Sequence, residues 1–131
     1  MGYIAYIVAQ DFSIEAENLK PMAEALVMAS NNAKPVPNTG EVKRDLAAQL
    51  LVDWGFKVQF GRKGGITEIW REGGGSYDKA NYEKLWVLIA PFVKGGSYIE
   101  CADGYGTRWR NTFDGGLHTE KHQEVRWVSE K

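Results

Sequence analysis

The residue pattern predicts an α+β fold: an antiparallel β-sheet of about six strands with three helices, in the order βααββαβββ, the helices packed mainly on one face. Three observations predict it. Two helix-like segments follow the first strand-like run with no strand between them. The last third of the chain is three consecutive strand-like runs joined by Gly-containing turns. No βαβ alternation is therefore sustained, as a parallel sheet would require. The chain has 131 residues, of which 44% are hydrophobic and 12% aromatic, sufficient for a single domain (1–131) with one core.

Taken in order, "YIAYIVAQDFSI" is rich in β-branched and aromatic residues and predicts a long first strand, bent near Gln10–Asp11. "ENLKPMAEALVMAS" predicts a helix capped by Asn18, with Pro21 in the first turn, where its missing N–H costs little. Leu19, Met22, Ala23, Leu26 and Ala29 then recur at helical spacing. "NNAKPVPNTG" is a loop by composition and the natural candidate for a mobile or protease-sensitive segment. Asn38 and Glu41 have the spacing of a capping box for a second helix over 41–54. Val42, Leu46, Leu50 and Trp54 are its expected apolar face, and Gly55 its left-handed terminator. "FKVQFGRKGGITEIWREGGG" alternates on both sides of a Gly-rich turn and predicts a hairpin with Phe56, Val58 and Phe60 on one face. Asp78 is placed to cap a third helix with the stripe Tyr82, Leu85, Trp86 and Ile89, stopped by Pro91. "GSYIECADGYGTRWRNTFDGGLHTEKHQEVRWV" supplies the last three strands, with turns at 103–106 and 114–116. Gly64, Thr67 and Gly75 recur as Gly104, Thr107 and Gly115 at a constant offset of 40, which suggests two helix-and-hairpin halves.

Alternation also sets a register. Ile99 and Cys101 are the inward pair on one strand and Trp109 the inward residue on the next; Arg108 and Arg110 then point outward. A four-residue loop would set Ile99 against Arg110, burying an arginine or exposing an isoleucine. A five-residue loop over 103–107 sets Cys101 against Trp109 and Glu100 against Arg110, which satisfies both faces.

Net charge is -1, so no global field draws nucleic acid or an anionic membrane to the chain, and binding to a polyanion requires a local patch. The single cysteine, Cys101, excludes an intramolecular disulfide. "MGYIAYIVAQDF" lacks the basic segment of a signal peptide, and Tyr6 stands where a myristoylation pattern requires Ser or Thr. No apolar run approaches the ~20 residues of a membrane helix. A soluble, cytoplasmic protein is the expectation, with no membrane contact.

Chemistry-bearing residues are few. Tyr98, Arg108, Arg110 and Arg126 form the candidate interaction face, since Arg beside aromatics is how proteins stack bases or clamp phosphates. Trp70–Arg71 are candidates to extend it, and Glu100 and Glu124 are placed to neutralise it across the sheet. His118 and His122 would share a metal on a helix, but on a strand they lie about 13 Å apart. Cys101 faces inward and should behave as a small hydrophobe rather than a nucleophile. The runs Gly61–Gly65 and Gly73–Gly75 lack the spacing of a phosphate loop; the first reads as a hairpin turn, with Arg62 and Lys63 offering at most an anion nest. No catalytic, cofactor-binding or metal-binding residues are nominated.

"IAPFVKGGSYIE", "GYGTRWRNTFDGG" and the closing "EVRW", together with the Met-Gly-Tyr start and the "FSI…AEN" segment, resemble a group of small uncharacterised proteins from phages and bacteria. The resemblance covers the start and residues 85–127. It departs at "CADGYG", where the group more often has a Gly-Glu-Asp-Gly type of turn. It implies a phage or mobile-element origin and a small non-enzymatic protein that engages, and inhibits or modulates, a host macromolecule. A protein partner is the first expectation, and a nucleic-acid-binding accessory role through the Arg and aromatic face the second. A metal-dependent enzyme at His118 and His122 is the third and weakest.

Overall fold

The computed structural model describes residues 5–29, 44–71, 79–103 and 105–122. The elements are β1 (Ala5–Asp11), α1 (Leu19–Met28), α2 (Arg44–Asp53), β2 (Phe56–Phe60), β3 (Ile66–Arg71), α3 (Lys79–Ile89), β4 (Ser97–Asp103), β5 (Arg108–Asp114) and β6 (Leu117–His122). The α+β class and the order βααββαβββ are as the sequence predicts. The strands divide into two antiparallel sheets, one of order β1-β4-β5-β6 and a separate hairpin, β2-β3.

The division originates in the first strand. β1 pairs with β4, and a bulge at Val8 switches the facing parity between Ile7 and Ala9. Past Asp11 the chain leaves that sheet. Phe12 is buried, and Ile14 then forms an isolated bridge with Ile66 of the hairpin, its N–H and C=O both paired at 2.9 and 2.8 Å. Just before the crossing, still within β1, Gln10 acts toward the hairpin as a surrogate strand residue. Its side-chain Nε2 donates to the Ile69 carbonyl and its Oε1 accepts from the Ile69 N–H, both at 2.9 Å. Arg71 closes the far end by donating to the Ala5 carbonyl at 3.1 Å. The predicted long, bent strand is thus two pairing segments serving different sheets. Gly65 is required where they meet, since a Cβ there would lie 2.5 Å from the Ile14 carbonyl oxygen.

The helices cover one side. α1 buries Leu19, Met22, Ala23 and Leu26, as its periodicity predicts, while Ala29 is exposed. Asn18 does not cap with its side chain. A 3-10 turn over Ala16–Asn18 leads into the helix, and the Asn18 amide instead donates to the Phe92 carbonyl at 3.4 Å. In α2 the fully buried residues are Ala47 and Leu51, with Leu50 and Trp54 partly buried against the core. The expected stripe at strict four-residue spacing is therefore rotated. Each four-residue step overshoots a helical turn, so Leu46 drifts off the face that Leu50 and Trp54 share. The expected cap at Asn38 and Glu41, and Val42, lie outside the described residues, as does Asp78. Gly55 ends α2 with φ +97°, its N–H donating to Val52 at 2.8 Å. Tyr82, Leu85, Trp86 and Ile89 of α3 are all buried, and Pro91 falls in a 3-10 turn that stops the helix.

An aromatic chain ties these layers together. Phe56 of β2 meets Tyr82 and Trp86 of α3 at centroid distances of 4.8 and 5.0 Å; Trp86 meets Phe113 of β5 at 6.1 Å; Phe113 meets Phe12 at 5.8 Å. At the offset of 40, Thr67 lies inside β3 whereas Thr107 lies in the turn before β5, so those two threonines do not occupy matching places in their hairpins.

Gln10→Ala leaves the Ile69 N–H and C=O without their partner at the seam between the sheets, and should lower the unfolding free energy by about 1–3 kcal/mol. Urea denaturation of the two proteins measures it.

Candidate interaction face of the sheet

The β4–β5 connection is the five-residue one. Glu100 stands opposite Arg110, Cys101 opposite Trp109 and Ala102 opposite Arg108. Asp103 makes the turn: its Oδ1 accepts from the N–H groups of Tyr105 and Thr107 at 2.8 and 3.0 Å, and Gly106 takes φ +85°. The β5–β6 connection is a two-residue turn, with Gly115 and Gly116 both at positive φ, which sets Asp114 opposite Leu117. Those two turns set which face each side chain of β4, β5 and β6 takes, and the pairing with β4 sets β1.

On the inner face lie the rows Ile7–Cys101–Trp109–His122, Gln10–Ile99–Asn111–Glu120 and Ser97–Phe113–His118. Ile99, Cys101, Trp109 and Phe113 enter the core. The polar residues Ser97 and Asn111 are buried with them, the latter 1% exposed. The Asn111 amide nitrogen reaches the Cys101 sulfur at 3.9 Å, and its Oδ1 contacts His118 Nε2 at 2.8 Å. An amide oxygen only accepts, so His118 carries its proton on Nε2. The chain Cys101–Asn111–His118 therefore separates the thiol from the imidazole rather than coupling them as nucleophile and base. Burial, followed by the charges of Glu120 and Glu100, pushes the Cys101 thiol up to about 12. Burial also lowers the His118 imidazole below its ordinary value, against the pull of Glu120 and Glu83.

His118 and His122 share this inner face, as their spacing requires, but serve different partners. His122 Nε2 lies 2.6 Å from Glu120 Oε2, while His118 is committed to Asn111 and packs against Phe113. Among the described residues no three His, Cys, Asp or Glu side chains gather as a metal site. Gly61–Gly65 is a hairpin turn, closed by Gly61 N–H to the Gly65 carbonyl at 2.8 Å. Gly73–Gly75 lie outside the described residues.

On the outer face lie Tyr6–Ala102–Arg108, Ala9–Glu100–Arg110–Lys121 and Asp11–Tyr98–Thr112–Thr119. Tyr98, Arg108 and Arg110 do come together there, and around one carboxylate. Arg110 Nη2 donates to Glu100 Oε1 at 2.8 Å, and Arg108 Nη1 is 3.5 Å from Glu100 Oε2. The Arg110 guanidinium also lies over the Tyr98 ring, 4.3 Å from its centroid. The carboxylate side chain is 19% exposed and the two arginines 53% and 46%, so the cations are presented and the anion is tucked beneath them. A hollow of about 330 Å³ is lined by Glu100, Arg108, Trp109, Arg110, Lys121 and His122. Tyr6, in the same outer row as Arg108, is exposed, as is Tyr105 in the turn ahead of β5. Arg126 and Glu124 lie outside the described residues. Trp70–Arg71 do not extend the face: Arg71 belongs to the seam between the sheets and lies 5.7 Å from the Tyr82 ring.

Sequence reasoning missed Lys121 as a member of this face, and Asn111 on the other. Parity alone could have found both, since each follows from the register once the Gly115–Gly116 turn is read as two residues. Among the described residues, no helix is long and apolar enough to cross a membrane. Neither a protein-family model, nor a curated protein, nor a solved structure matches the chain.

Two predictions follow from the inner face. The Cys101 thiol, buried and protonated, should resist aromatic disulfide reagents at mildly alkaline pH in the native protein and react at once in denaturant; rapid native labelling would contradict this. His118 has a folded-state pKa below the unfolded 6.5, so the folded state binds fewer protons in acid. The stability it contributes is complete above pH 6.5 and declines as the pH falls below that value. Denaturant titrations across this range should show the decline, with a shallower slope for His118→Gln.

Proposed function

We propose that this protein is a non-enzymatic binding module that engages another protein through the outer face of its four-stranded sheet. The supporting observation is the cluster Tyr98–Arg110–Glu100–Arg108. Its side chains are held in one arrangement by a cation–π contact and a shared carboxylate, yet the guanidiniums remain about half exposed. Tyr and Arg fixed in advance lose little entropy on docking, and these are the residue types that dominate interface energetics. Exposed Tyr6, in the outer row of Arg108, extends the same surface. Within the cluster two guanidiniums share one carboxylate, which favours an acidic group on the partner at that point of the face. The resemblance to small phage proteins fits a module that modulates a host protein.

A protein partner is favoured over nucleic acid because Arg110 already covers a face of the Tyr98 ring, which removes that face from base stacking. The chain as a whole, at net charge -1, adds no attraction for a polyanion.

Arg108→Glu plus Arg110→Glu is the test, with Arg108→Gln plus Arg110→Gln as a milder pair. A protein captured by the wild type is purified and its affinity measured against both variants, whose melting temperatures are checked in parallel. Charge reversal should weaken binding by at least about tenfold, with the neutral pair intermediate. Equal affinity for wild type and folded variants would overturn the assignment. Steeply salt-dependent binding of an oligonucleotide, lost in the same variants, would replace it with the nucleic-acid reading.

A further inference from the structure

We propose that the hollow between Glu100, Arg108, Arg110 and Lys121 is a binding site for a phosphate dianion. It rests on the reading of this face as the interaction surface and adds the chemical group the face receives, a phosphorylated side chain of a partner protein.

One pairing across the outer face is unfavourable. The register sets Lys121 directly opposite Arg110 on the outer face. Like charges facing each other across antiparallel strands repel, and a carboxylate at this position would have completed an ion pair instead. The neighbouring carboxylate gives no relief. Glu120 points to the other face, where it holds His122 at 2.6 Å. Among the described residues Lys121 has no carboxylate partner, and Glu100 is shared by both arginines. Three cations thus border one hollow of about 330 Å³ with a single carboxylate among them.

The charge left over identifies the ligand. Once Glu100 is counted, two positive charges remain, and a phosphomonoester carries about −1.5 to −2 at neutral pH. A single carboxylate would neutralise only part of that charge. A phosphodiester backbone presents one charge per residue along a line, whereas these cations border a single depression. The donors also suit the group. Each guanidinium keeps N–H groups beyond the one directed at Glu100, and the two can bind oxygens as forks while the Lys121 ammonium acts as a mobile point charge. The contact to Tyr98 and the bond to Glu100 hold Arg110 in place before the anion arrives. The repulsion between Arg110 and Lys121 is thus a stability cost retained for binding.

Inorganic phosphate, a short phosphoserine peptide and the same peptide without phosphate are titrated into the full chain, with backbone and arginine side-chain NMR shifts as the readout. Phosphate should bind saturably and shift signals at Glu100, Arg108, Arg110 and Lys121. Lys121→Glu should weaken phosphate binding more than tenfold while raising the melting temperature, because the repulsion opposite Arg110 becomes attraction; Lys121→Gln should fall between. A merely structural lysine would not produce those opposite movements. Tighter binding of the phosphopeptide than of inorganic phosphate assigns the group to a partner protein, and equal binding assigns the site to the free anion. Non-saturable shifts, or unchanged phosphate affinity in Lys121→Glu, would overturn the site. Partner binding that depends on Arg108 and Arg110 without any phosphate binding removes the site and leaves the interface standing. Phosphate binding with a partner indifferent to those arginines does the reverse.

Discussion

The passage from Gln10 to Ile14 is the constraint on which the rest of the molecule depends. A strand that leaves one sheet for another must carry its peptide groups across the gap without leaving them unpaired, because a buried orphan N–H or C=O costs as much as a lost hydrogen bond. Here the crossing residue Ser13 is paired from outside the strand ladders, its N–H donating to Ser97 Oγ at 3.3 Å and its carbonyl accepting from the Lys94 N–H at 2.8 Å. A side chain closes the matching gap on the hairpin. The primary amide of Gln10 has the same donor and acceptor as a peptide group, and it pairs with both polar atoms of Ile69. Ile14 then resumes true backbone pairing with Ile66, and Phe12 between them packs edge-on against Phe113. With the seam in place, the hairpin β2-β3 stands beside the larger sheet, Phe56 reaches Trp86, and a single aromatic chain runs through the core.

The seam also determines which face of the four-stranded sheet remains open. The helices and the aromatic chain occupy the inner face, and of the buried polar residues there Asn111 is satisfied by Cys101 and His118 and Ser97 accepts from the Ser13 N–H. Thiol and imidazole are thereby spent on structure: both of their partners are internal, and burial keeps each in its neutral form. The outer face has the opposite character. Its carboxylate is the most covered member of its charge cluster and its arginines the most exposed. An isolated surface ion pair contributes little to stability. What the Tyr98–Arg110–Glu100–Arg108 arrangement provides is position, by holding two guanidiniums ready beside Lys121.

Much of this was legible in the chain because β-structure has an integer period. Side chains alternate strictly, so the demand that Trp109 face inward and Arg110 outward rejects the four-residue loop between β4 and β5 in favour of the five-residue one, and Cys101 opposite Trp109 follows. The helix stripes of α1 and α3 were readable for a related reason, since their apolar residues recur at both three- and four-residue intervals and so track the true period. The stripe assigned to α2 used four-residue steps alone. It drifted around the helix and missed Ala47 and Leu51, each one residue past the expected Leu46 and Leu50 and both fully buried.

The sequence by itself determined the class, the order of elements, the register of β4 with β5, and the presence of Tyr98, Arg108 and Arg110 on a shared face. Those features depend on near neighbours along the chain: parity, turn length, and the conformations that glycine permits and proline imposes. Only the tertiary structure decided that six strands form two sheets, that Asn18 reaches Phe92 instead of capping its own helix, and that Gln10 takes the place of a peptide group. Each of those is a hydrogen bond between residues 59 or more positions apart or the consequence of one. A polar side chain displays its bonding capacity in the sequence, but its partner is chosen by which distant carbonyl the packed core brings within reach.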